Sequence, residues 1–141
     1  MSMDTTLNYS PNFNIKKRKP NQIKFIIFHY TGMKNESEAI ERLTSIKSKV
    51  SSHYLIKNNG EIVVMVPDLY EAWHAGLSSW KNFKSLNKSS IGIEISNPGH
   101  NFNYKKFDWY FFDHWWTNDA CAPRARIINN SYRFLIFRLP R

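Results

Sequence analysis

The chain has 141 residues, few enough for one hydrophobic core. Its 42% hydrophobic and 22% charged content fits a folded globular chain and excludes disordered and fibrous classes. A net charge of +9 favours polyanionic partners, among them nucleic acid, anionic lipid and bacterial cell wall, without choosing between them.

The longest apolar runs, Phe25 to Phe28 and Ile62 to Val66, fall far short of the roughly 20 residues a membrane helix needs, so no membrane span is expected. Met1 to Asn14 lacks an apolar signal region and no lipid-modified cysteine stands near it. With Cys121 the only cysteine, no intrachain disulfide is available. Cytoplasmic residence is the default expectation, with the bacterial cell envelope the other.

Residues 1–21 are polar and aperiodic and predict an extended N-terminal arm. Ile23 to Phe28 predict a strand buried on both faces that ends at His29, where a side chain can face a cleft. A strand-end imidazole of this kind is able to bind zinc, and equally able to be a packed, hydrogen-bonded side chain. Asn35 followed by Glu38 marks a helix start, and Ile40, Leu43, Ile46 and Val50 continue at helical spacing, predicting an amphipathic helix of about 14 residues. Two β-forming runs, Tyr54 to Lys57 and Glu61 to Val66, flank Asn58, Asn59 and Gly60, which tolerate the positive φ of a tight hairpin. Ile91, Ile93 and Ile95 alternate with Gly92, Glu94 and Ser96, predicting a short strand with Glu94 opposite the isoleucines.

After Lys106 the composition changes abruptly. Seven of the ten residues from Phe107 to Trp116 are aromatic, and the last 18 residues hold five of the seven arginines. The shift from Lys to Arg predicts a tail of different origin, such as a shifted reading frame. An aromatic helix followed by an Arg-rich surface segment is the plainer alternative. The chain divides accordingly into an arm, 1–21, a domain, 22–106, and an atypical tail, 107–141.

Five segments stand in order: His29-Tyr30-Thr31, Ser51-Ser52-His53-Tyr54-Leu55-Ile56, Asn59-Gly60-Glu61-Ile62, Ala72-Trp73-His74-Ala75-Gly76 and Ser90-Ile91-Gly92-Ile93-Glu94. Together they resemble the type 2 N-acetylmuramoyl-L-alanine amidases, the family of phage amidase-lysozymes and peptidoglycan recognition proteins. The resemblance spans roughly residues 22–100 and implies an α/β fold, a central mixed β-sheet flanked by helices. It also implies zinc-dependent hydrolysis of the lactyl-L-alanine amide of peptidoglycan or muropeptides.

Carried over residue by residue, the resemblance makes His29 a zinc ligand and Glu94 the catalytic acid and base. Trp73 and His74 fall at the substrate, while His53 and His100 have no ligand role. The family's C-terminal Gly-His-x-Asp-x-Ala-Pro segment, source of the remaining ligands, has no counterpart here, which leaves His114 and Cys121 as candidates. The alternative function is a non-catalytic peptidoglycan-binding module of the same fold. The scattered basic residues form no nucleic-acid module.

Overall fold

The computed structural model describes residues 4–98 and 135–139. Its strands, in chain order, are β1 (Thr5–Leu7), β2 (Phe13–Asn14), β3 (Phe25–Tyr30), β4 (Tyr54–Ile56), β5 (Ile62–Val64), β6 (Glu71–Ala72), β7 (Ser79–Trp80), β8 (Phe83–Lys84), β9 (Ser90–Ile95) and β10 (Leu135–Arg138), with the helix α1 (Glu36–Thr44) between β3 and β4. Six strands form a mixed sheet in the order β1-β5-β4-β9-β3-β10, and β2-β6 and β7-β8 make two small ribbons. Among the described residues, no helix is long and apolar enough to cross a membrane.

The expected strand ending near His29 is β3, and it lies parallel to β9 with Phe25 opposite Ser90, Ile27 opposite Gly92 and His29 opposite Glu94. Side chains alternate across a strand, so Phe25, Ile27 and His29 share one face with Ser90, Gly92 and Glu94. On that face Phe25 and Ile27 pack with Leu86, while Leu43 of α1 packs with Leu55, Val63 and Met65. The site therefore continues directly from the apolar core along two central strands.

The hairpin forms as expected. β4 and β5 pair antiparallel around a turn in which Gly60 has φ +87, a conformation open to glycine and strained for residues with a Cβ.

Asn35 caps α1 by accepting from the Glu38 backbone N–H at 2.9 Å, but the helix is nine residues long and not about 14. Its C-cap, Ser45, turns extended, and Ile46–Ser48 continue only as a single 3-10 turn. The reason lies in the arm: the Asn12 amide donates to the carbonyls of Ser45 (2.8 Å) and Val50 (2.9 Å), and the Ser10 hydroxyl donates to Leu43 O (2.5 Å). These side chains hold the carbonyls away from helical partners, so tertiary contacts override the periodicity.

From residue 4 on, the arm carries two short strands and is knit into the fold. β1 is an edge strand parallel to β5, and β2 pairs with β6. Arg18 is buried and donates to the carbonyls of Asn87 (2.9 Å), Ser90 (2.6 Å) and Asp68 (2.5 Å). Of the tail, β10 pairs antiparallel with β3, Leu135 opposite Phe28 and Arg138 opposite Phe25. The other tail positions of interest, His114 and Cys121, lie outside the described residues, as does His100.

Candidate active site

The C-terminal ends of β3 and β9 open into a cleft of about 550 Å³, lined among others by His29, Arg42, Trp73, His74 and Glu94. His29 and Glu94 are register partners on adjacent parallel strands, which puts imidazole and carboxylate side by side on the cleft floor.

The Glu94 Oε2 atom is buried and has no hydrogen-bond partner among the described residues. Loss of hydration pushes the Glu94 carboxyl up to about 7, against a smaller opposing pull from the Arg42 guanidinium. A carboxyl balanced near neutrality can both take and return a proton, and an unpaired buried oxygen leaves room for the group that exchanges it.

Trp73 and His74 follow β6 and arrive over the sheet from the side. The Trp73 backbone N–H donates to Ser51 Oγ at 2.8 Å, and its indole N–H donates to Asn14 Oδ1 at 3.3 Å, so part of the arm braces the cleft wall. His74 is seated by Asn87, whose Oδ1 accepts from the backbone N–H groups of His74 (3.2 Å) and Ala75 (2.7 Å).

The His74 ring lies against Gly92, so closely that a Cβ at position 92 would sit 2.3 Å from its Cγ. It reaches His29, with His29 Nε2 and His74 Nδ1 3.0 Å apart, and its Nε2 lies 3.1 Å from Ser90 Oγ. Burial lowers the His29 imidazole to about 4 and holds His74 well below its ordinary range, helped for His74 by the neighbouring His29, His53 and Arg18. Both rings are therefore neutral at physiological pH.

His53 is fully buried beneath them. Its Nδ1 accepts from the Gly92 N–H at 2.9 Å, its Nε2 lies 3.0 Å from Tyr70 O, and burial first of all lowers it to about 4. Its bonds to the backbone make it a tie between β9 and the segments around it.

The structure thus brings His29, His74, Trp73 and Glu94 to one cleft. It also adds Asn87, Ser90, Gly92 and Arg18, which seat those side chains. Of these, Ser90 and Gly92 stand inside a motif, whereas Asn87 and Arg18 carry no local signal.

Among the described residues, no group of three or more His, Cys, Asp and Glu side chains is placed to hold a metal ion. The described residues therefore do not compose a zinc site by themselves.

The sequence model of the N-acetylmuramoyl-L-alanine amidase family matches residues 19–133. The chain belongs to this family. The amidase match extends past the five motifs into the aromatic segment. Among amidases, AmiD of Escherichia coli is 41% identical over 85 residues, covering 55% of this chain and 30% of that enzyme. A selenomethionine derivative of AmpD has the same fold, with TM-score 0.60 and 24% identity over 82% of this chain and 76% of that one. AmpDh3 of Pseudomonas aeruginosa, solved in complex with an anhydromuramic pentapeptide, has TM-score 0.54 and 25% identity over 72% of this chain and 48% of that one. The chain spans less than a third of the length of the curated amidase AmiD.

Proposed function

We propose that this chain hydrolyses the amide between the lactyl group of N-acetylmuramic acid and L-alanine, in peptidoglycan or anhydro-muropeptides. The observation that carries the reading is the buried Glu94 Oε2 atom, without a hydrogen-bond partner among the described residues, on a carboxyl pushed up to about 7 beside His29 on the floor of an open cleft. Family membership and the solved complex of AmpDh3 with an anhydromuramic pentapeptide support the substrate class.

In this reading Glu94 acts as general base and then general acid. Its Oε2 takes a proton from the water that attacks the lactyl carbonyl and returns it to the departing alanine nitrogen, so the enzyme ends the cycle unchanged. Trp73 offers a flat apolar wall for the sugar, and the closely packed side chains under the cleft exclude bulk water from Glu94. Zinc belongs to the same reading as a polarising group for water and carbonyl, with His29 as one ligand. Its other ligands would come from outside the described residues, where His114 and Cys121 have suitable donor atoms. A binding-only module would have no use for a carboxyl tuned to neutrality, which favours the enzyme over that alternative.

The test is release of L-alanine-containing peptide from anhydro-muropeptide by the full chain, with Glu94→Gln alongside. Loss of about 10²-fold to 10⁴-fold in turnover with substrate binding retained is the expected result. Equal turnover in the two proteins would overturn the assignment, and binding without turnover in the unmodified chain would favour the binding module.

A further inference from the structure

We propose that Arg42 forms a carboxylate-binding subsite where α1 borders the cleft, and that it holds a free carboxylate of the peptide attached to N-acetylmuramic acid. The identity of the ligand rests on the amidase reading; the subsite adds which part of the cleft receives the peptide.

The helix puts Arg42 there. Ala39, Arg42 and Leu43 stand at i, i+3 and i+4 of α1, which is one face of a helix, and all three line the cleft. Ala39 and Leu43 are buried, whereas Arg42 is exposed. The face that α1 turns toward the sheet thus combines apolar side chains with a single cation, and that cation borders the same cleft as Glu94.

Among the described residues nothing uses this charge. Arg42 makes no hydrogen bond or ion pair there, the salt bridge of the described residues being Lys57–Glu61. Glu38, one turn earlier and the usual helical partner of such an arginine, accepts from the Asn35 side-chain amide at 3.0 Å. Arg18, by contrast, spends its guanidinium on three backbone carbonyls. A guanidinium presents five N–H donors in a planar fork, which matches a carboxylate through two parallel hydrogen bonds.

The charge of the lining is uneven. Arg42 and, past the helix end, Lys49 are cations, the segment from Trp73 to Ser78 carries no acid or lysine or arginine, and Glu94 is the one acid. The substrate is uneven in the same sense. Its sugar half is uncharged, because the lactyl carboxyl is tied up in the scissile amide, while its peptide half carries at least a C-terminal carboxylate. Complementary charge draws the peptide toward α1 and leaves the Trp73 segment to the sugar.

The test is an affinity measurement in the full chain carrying Glu94→Gln, which keeps the ligand intact. The probes are an anhydro-N-acetylmuramyl peptide with free carboxylates and the same compound with those carboxylates converted to carboxamides, each titrated by calorimetry. Arg42→Gln is expected to weaken the carboxylate probe about 5-fold to 50-fold and the carboxamide probe less than about 2-fold. Added salt is expected to shrink that difference. Lys47→Gln makes the same charge change at an exposed position outside the cleft lining and is expected to leave both affinities within about 2-fold. Equal weakening of both probes by Arg42→Gln, no weakening of either, or an equal loss in Lys47→Gln would overturn the proposal. So would equal affinity of the Arg42-bearing chain for the two probes, a comparison that stands even where a variant folds poorly. Converting one carboxylate at a time tells a C-terminal carboxylate from an acidic side chain as the group held. Peptide release by the unmodified chain is scored separately, so a chain that binds through Arg42 without turnover would fail the amidase reading and keep the subsite.

Discussion

Gly92→Ala isolates the contact on which the site is built. Gly92 lies in an inner strand without a left-handed φ, so the backbone itself admits alanine. The obstacle is the His74 ring, whose Cγ, Cδ2 and Nδ1 would stand 2.3, 2.6 and 2.6 Å from the new Cβ. The ring must leave its place, and its contacts with His29 and Ser90 break as it goes. Overpacking of this kind costs about 1–3 kcal/mol, and the lost hydrogen bonds about 1 kcal/mol more. Interpolated for a chain of this size, the sum lowers Tm by roughly 5–15 °C.

Urea unfolding of Gly92→Ala, His74→Ala and the double variant separates this cause from a general disturbance of the sheet. If the ring is the obstacle, Gly92→Ala is costly in the native background and neutral or stabilising by about 0.5–1 kcal/mol once His74 is gone, since alanine suits a strand better than glycine. Additive penalties in the double variant would refute the argument.

Acid sensitivity has a calculable sign. Burial holds His29 and His53 near 4 and His74 well below its ordinary range, against 6.5 when unfolded, whereas Glu94 sits near 7 against 4.5. Between pH 4.5 and 6.5 the unfolded chain binds protons on these three histidines that the folded chain does not, while the folded chain holds one on Glu94 that the unfolded chain lacks. The stability of chelator-treated protein therefore rises with pH across this window, and Glu94→Gln, which removes the opposing contribution, steepens the rise. Denaturation midpoints at pH 5 and 6.5 check both, and a midpoint that falls as pH rises would contradict the assignments. Arg18→Ala leaves three carbonyls, those of Asn87, Ser90 and Asp68, without their donor and is expected to cost about 3 kcal/mol or more, measured by the same unfolding curves. A change below about 0.5 kcal/mol would mean that Arg18 does not hold the arm.

The sequence made the central strands and the hairpin legible because their signals are local: alternation around Ile91 and Ile93, and Asn-Asn-Gly between two β-forming runs. His29 and Glu94 were legible through the five motifs, and the structure makes them neighbours by a parallel register that no local pattern encodes. The helix was overestimated because Ile46 and Val50 keep its period, while the competing bonds from Ser10 and Asn12 come from more than 30 residues away. β1 and β2 were illegible for a different reason. Two or three residues are too few to display a period, and their pairing is decided by the edges they cover. Arg18 read as one cation of a basic run, yet it alone of that run is buried.

The arrangement of the sheet also bears on how the molecule assembles. Its two margins are formed by β1 and β10, the first and last strands described, and the motif-bearing strands lie between them. During synthesis β3, with the apolar run Phe25 to Phe28, emerges early, and its antiparallel neighbour arrives more than 100 residues later. Until then that margin is an unpaired apolar strand, the kind of edge that recruits other chains. Such long-range closure slows folding. The strand that carries His29 is thus shielded from intermolecular pairing only once β10 has been made, which makes β10 a guard on solubility as well as a part of the sheet.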